Sequence, residues 1–181
     1  QVVFGGPVNL SGGARTIDTT NAGGTAAGAS ITFSSTTNGA QDLTLDAGTA
    51  GNIFLTGATG GSTPLSAFTI LNAHDVTAGA ISAASITLTA SNGAANFGLL
   101  TTTGASGISL TGTAIGLASG ATTTGTGTMT VVNSGTLNIA AGEVLTLTNS
   151  NANRLQDITV NGDLLLPQST AVQFKNVTLN G

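Results

Sequence analysis

The sequence predicts an all-β chain, specifically a right-handed parallel β-helix (solenoid) of about nine rungs with uncapped ends. Three observations carry that expectation: a short apolar–polar–apolar phrase repeated from end to end, a composition too small-sided and uncharged for an ordinary compact domain, and turn residues that interrupt nearly every stretch of ten.

The phrase comes first. It reads Ile31-Thr32-Phe33, Leu43-Thr44-Leu45, Ile53-Phe54-Leu55, Phe68-Thr69-Ile70 and Ile86-Thr87-Leu88, and it continues as Ile108-Ser109-Leu110 and Met129-Thr130-Val131. Further copies are Leu137-Asn138-Ile139, Leu145-Thr146-Leu147, Ile158-Thr159-Val160 and Val177-Thr178-Leu179. Alternation with a period of two is the mark of a strand whose first and third side chains share one face. Helix is disfavoured throughout, because Thr, Val and Ile dominate and Gly recurs constantly.

Composition narrows the architecture. The chain has 181 residues with 27 Gly, no Cys, no Trp and no Tyr, and only 6% of residues are charged. Disorder requires low hydrophobicity, whereas here 40% of residues are apolar and the mean hydropathy is +0.35. A core can therefore be buried, but it must be thin, since Ala, Val, Ile and Leu supply most of it. No shift in composition, charge run or Pro-rich linker divides the chain, so residues 1–181 read as one continuous body.

Antiparallel hairpins compete with a solenoid for such strands. Asn38-Gly39, Asn92-Gly93 and Asn161-Gly162 argue for hairpins, for which that dipeptide is a strong local signal. Against them stand the brevity of the strands and the lack of aromatic or charged residues for a solvent face. In a solenoid each short strand pairs with the coils above and below, and loops can lengthen without disturbing the stack. At roughly 20 residues per turn and about 4.8 Å per rung, the chain would form a rod some 40 Å long.

The charge balance excludes one partner class. With Arg15, Arg154 and Lys175 as its basic residues and a formal charge of −4, the chain cannot neutralise a run of phosphates, so nucleic acid is not expected. No apolar run approaches the roughly 18 residues that span a bilayer, so no membrane insertion is expected of this segment. The opening Gln1-Val2-Val3-Phe4-Gly5-Gly6 lacks the basic and hydrophobic regions of a signal peptide. Any targeting signal is expected outside the chain, and Gln1 and Gly181 fall within the repeat pattern, as in a piece of something longer.

The titratable residues offer little chemistry. His74 with Asp75 suggests a base and its orienting carboxylate, but a polar loop corner explains the pair without any nucleophile. The carboxylates Asp18, Asp42, Asp46, Asp75, Glu143, Asp157 and Asp163 could in principle gather for calcium or acid–base work, as in polysaccharide-acting β-helix enzymes. No two of them are adjacent in sequence, and single Asp residues in turns satisfy local backbone amides. Lys175 follows Phe174 and no phosphate-binding loop is present. The sequons Asn9-Leu10-Ser11 and Asn176-Val177-Thr178 are expected by chance. No catalytic residue, cofactor or metal ligand is assigned, and no enzymatic activity is expected.

Threonine offers one sharper reading. Thr87-Leu88-Thr89, Thr128-Met129-Thr130 and Thr146-Leu147-Thr148 would each place two hydroxyls outward on one flat face, as on β-helical ice-binding surfaces. Outward Thr is also the ordinary choice for a strand with little charge.

Two segments carry a family likeness. Gly51-Asn52-Ile53-Phe54-Leu55-Thr56-Gly57 with Gly60-Gly61-Ser62-Thr63-Pro64-Leu65 and Phe68-Thr69-Ile70, and the stretch from Phe4 to Thr19 (Phe4-Gly5-Gly6-Pro7-Val8-Asn9-Leu10-Ser11-Gly12-Gly13-Ala14-Arg15-Thr16-Ile17-Asp18-Thr19), resemble repeats of filamentous-haemagglutinin-like large bacterial adhesins. The resemblance implies a right-handed β-helix shaft exported by two-partner secretion or an autotransporter route. The family's amino-terminal secretion domain is not recognisable in this sequence. The same resemblance implies a structural or adhesive role outside the cell or on the bacterial surface, including adhesion and biofilm. Its partners would be adjoining repeats of the same chain, and a host or neighbouring cell surface or carbohydrate. The alternative expectation is a filament or sheath subunit that stacks end to end with copies of itself.

Overall fold

The computed structural model describes residues 1–123, 129–133, 136–139, 144–147, 153–160, 163–165 and 172–179. Among them the chain is all-β, without helix, and forms a parallel β-solenoid. Every strand pairing is parallel. The two described Asn-Gly dipeptides make no hairpins: Asn38 lies in a strand that pairs in parallel with Asn9, and Gly93 bonds across to the neighbouring coil at the His74 carbonyl. Asn161-Gly162 lies outside the described residues.

Each coil presents three faces, and register across coils is what builds the core. On the first face the inward column runs Val2, Ile31, Ile53, Val76, Ala95, Ile115. Its companion runs Phe4, Phe33, Leu55, Ala78, Phe97, Leu117. The second face stacks Val8, Thr37, Thr59, Ile81, Leu100 and Ala121. The third stacks Leu43, Phe68, Ile86, Ile108 and Met129, with Ile17, Leu45, Ile70, Leu88, Leu110 and Val131 alongside. In the first column the steps from Ile31 to Ile53 and from Ile53 to Val76 are 22 and 23 residues, close to the expected period. The step from Val2 to Ile31 is 29 residues because a loop is inserted after Asp18.

The alternation expected from sequence holds wherever side chains are described. In the phrases beginning at Ile31, Leu43, Ile53, Phe68, Ile86, Ile108 and Met129, the first and third residues are buried and the middle one is not. Each buried Ile, Leu or Phe contributes roughly 1.5–3 kcal/mol. Within its column Phe4 stacks on Phe33, with ring centroids 4.5 Å apart. The later phrases, from Leu137 on, form strands, but their inward or outward placement lies outside the described residues.

Two features depart from the expectation. Several strands are long, the longest being Leu100–Gly112, because the chain stays extended while turning from the second face to the third. Moreover, hydroxyls do not only coat the outside. Thr37, Thr59 and Thr102 are buried on the second face, each no more than 2% exposed. A Thr is nearly isosteric with Val, so it fills the narrow column, but the Thr37 hydroxyl has no hydrogen-bond partner among the described residues. Such a group costs about 1–3 kcal/mol.

Candidate functional site

The candidate residues fall at the corners between faces. The first corner precedes the first-face strands and contains His74 and Asp75. The His74 Nδ1 lies 3.1 Å from Asp75 Oδ2, and the side chains are 50% and 41% exposed. The other carboxylate oxygen, Oδ1, accepts the Ala94 N–H of the next coil at 2.8 Å. That bond, helped by His74, holds the Asp75 carboxyl below its usual value.

The bond is one step of a ladder. Ser30 Oγ accepts the Asn52 N–H at 3.1 Å, Asn52 Oδ1 accepts the Asp75 N–H at 3.2 Å, and Asp75 Oδ1 accepts the Ala94 N–H. Each coil thus ties a backbone amide of the next through a side-chain oxygen. Sequence reasoning misses this set, although a signal is present: Ser30, Asn52 and Asp75 each stand immediately before the first inward residue of a strand, at Ile31, Ile53 and Val76. In this setting Asp75 works as a backbone acceptor and His74 as its neighbour.

The second corner comes after the third-face strands, where Asp18, Asp46 and Asn72 are register partners. Asp18 organises the inserted loop. Its Oδ1 accepts from the Thr20 N–H and Oγ1, both at 2.6 Å, and its Oδ2 from the Ala22 N–H at 2.8 Å. Asn21 and Ala22 hold φ of 55° and 53°, a left-handed conformation that aims successive amides at one point. The carboxylate fills that point, and these bonds, the Thr20 hydroxyl's foremost, depress its pKa. Asp46 Oδ1 accepts the Gly48 N–H at 3.0 Å and faces the Asn72 amide at 3.4 Å.

These carboxylates bear on acid stability. A carboxylate whose folded pKa lies below the ordinary 3.8 stabilises the fold fully above that value, and the contribution is lost as pH falls through the lowered pKa. The melting temperature is therefore expected to drop as pH is lowered below about 4. Replacing both Asp18 and Asp75 with Asn should flatten that drop, and a double variant with the full wild-type pH profile would contradict these roles.

The remaining carboxylates do not converge with these. Asp42 is exposed, and its carbonyl accepts the Arg15 N–H. Asp157 and Asp163 lie in strands whose side chains are outside the described residues, as is Glu143. Among the described residues no group of three or more His or acidic side chains could hold a metal. Arg15 folds over its own loop, donating to the carbonyls of Ser11, Gly13 and Ala14, at the rim of an apolar cavity of about 250 Å³ lined by Phe4, Val8, Leu10, Ile17 and Phe33.

On the third face the outward residues form one continuous hydroxyl column: Thr16, Thr44, Thr69, Thr87, Ser109 and Thr130. Parallel register sets them about 4.8 Å apart. The second hydroxyl column expected for an ice-like array is not continuous, since the residue two places on is Asp18, Asp46, Leu71, Thr89 or Thr111. Thr128, Thr146 and Thr148 lie outside what is described of the side chains.

A scan against protein-family models, a search of curated proteins and a search of solved structures each return no match.

Proposed function

We propose that this chain is a stretch of right-handed parallel β-helix shaft, structural or adhesive in role, working outside a bacterial cell or on its surface. The observation that carries the reading is the unbroken register of inward columns on three faces. Such a body grows in one dimension, since each coil needs only its neighbours, and it presents long, weakly charged faces. Right-handedness is the general preference of crossovers between parallel strands in one sheet. About nine rungs fit the chain, because the first-face register continues from Leu137 to Val160 and from Val160 to Leu179. The likeness of the Phe4–Thr19 and Gly51–Ile70 segments to filamentous-haemagglutinin-like repeats points the same way.

A rod of this kind projects whatever adjoins it and binds through its faces. Its partners are adjoining repeats of the same chain and a host or neighbouring cell surface or carbohydrate. The test is retention of beads coated with the purified chain on epithelial cells, on bacterial cells and on immobilised polysaccharides. Retention above that of albumin-coated beads on at least one surface supports an adhesive shaft. Cleavage of a polysaccharide by the chain, or retention on none of the surfaces, would overturn it.

A further inference from the structure

We propose that Asn38-Gly39 and Asn92-Gly93 are structure-gated deamidation sites, kept closed by the folded solenoid and opened only when their corner unzips. The dipeptide is chemically labile because glycine has no side chain to shield its nitrogen. In the reaction the Gly nitrogen gives its proton to a solvent base and attacks the Asn Cγ. The new N–Cγ bond closes a succinimide, the Cγ–Nδ2 bond breaks and ammonia leaves with a proton from water. Water then opens the ring at either carbonyl, to aspartate or to isoaspartate.

Both reacting groups are tied down at both sites. The Gly93 N–H donates to the His74 carbonyl at 2.7 Å, and the Gly39 N–H to the Thr63 carbonyl at 3.3 Å. Asn92 Nδ2 donates to the Thr49 carbonyl at 3.1 Å. Asn38 Oδ1 accepts the Ser62 N–H at 2.9 Å and the Thr63 N–H at 3.3 Å. An amide engaged in a hydrogen bond gives up its proton reluctantly, and a pinned carboxamide cannot swing onto it.

The fold also explains why so labile a pair is retained. Gly39 has φ of +121° and a Cβ there would run into the Leu10 carbonyl, while a Cβ on Gly93 would run into the Asp75 carboxylate. At Gly39 the left-handed backbone and the Leu10 carbonyl exclude a side chain, and at Gly93 a side chain would displace the Asp75 carboxylate from the Ala94 N–H it accepts, so protection comes from the hydrogen bonds to adjoining coils. Modification would be damaging: isoaspartate inserts a methylene into the backbone and shifts the strand beyond it out of register, and aspartate at position 92 loses the donor to Thr49.

The test is incubation of the full chain at mildly alkaline pH, native and in urea, with mass spectrometry of the peptides holding each pair. Deamidation at both sites is expected to be roughly tenfold or more slower in the native chain, the factor tracking the free energy of local opening. Equal native and unfolded rates would overturn the proposal. Hydrogen exchange supplies a second reading that needs no chemistry at Asn: the Gly39 and Gly93 amides are expected to be protected, and free exchange at both would overturn it.

Discussion

Leu88→Asp is expected to abolish cooperative unfolding, whereas Thr87→Asp, one residue away, is expected to leave it intact. Leu88 is 1% exposed and sits between Ile70 and Leu110 in the third-face spine. A carboxylate there must either shed its charge or remain buried without a partner, at a cost of several kcal/mol. In a solenoid the loss is not confined to one coil, since the columns above and below depend on the same contact. Thr87 points outward between Thr69 and Ser109, so a charge there meets water and the change should stay within about 0.5 kcal/mol. Urea titrations followed by circular dichroism would separate the two, and equal effects would mean that the faces are assigned wrongly.

Gly60→Ala is expected to be the second severe change, at roughly 1–3 kcal/mol, with Gly6→Ala as its neutral counterpart. Gly60 has φ of +73° and lies where the second face begins its pairing with the next coil. Its N–H donates to the Thr37 carbonyl at 2.7 Å, and a Cβ would press on the Ser82 carbonyl of the next coil. Strain and clash therefore act together, and relief of either requires the two coils to separate. A Cβ on Gly6 meets nothing within 4 Å. Comparison of melting temperatures would decide, and a Gly60→Ala chain as stable as Gly6→Ala would show that the coils do not approach so closely.

The first and third faces are legible in the sequence where their columns use large residues. Phrases such as Leu43-Thr44-Leu45 and Ile86-Thr87-Leu88 announce both the strand and its inward side. The strands Val76–Ala78, Ala94–Phe97 and Ala114–Leu117 are not, since Ala in place of Leu and Gly116 in the middle position blur the alternation while packing the thin core equally well. The second face is hidden for a further reason. Its inward column passes through Thr37 and Thr59, and a buried threonine looks the same in sequence as an exposed one.

The corners are legible only in part. The sequence marks Asp75 as a polar corner residue, but its role as one step of the Ser30–Asn52–Asp75 ladder depends on register between coils, and sequence spacing of 22 and 23 residues gives no direct sign of it. The Asn-Gly pairs mislead for the converse reason. Their local chemistry suits a hairpin, yet here the same backbone freedom serves a corner whose hydrogen bonds run to the next coil.

The stacking of coils can be measured directly because the chain has no native cysteine to complicate labelling. Spin labels at Thr44→Cys and Thr130→Cys sit on one outward column, separated by the register steps through Thr69, Thr87 and Ser109. Four rungs place the two backbone positions about 19 Å apart, and a single narrow distance near that value is expected by pulsed electron resonance. A broad distribution, or a dominant separation beyond about 30 Å, would mean that these strands do not stack in parallel register.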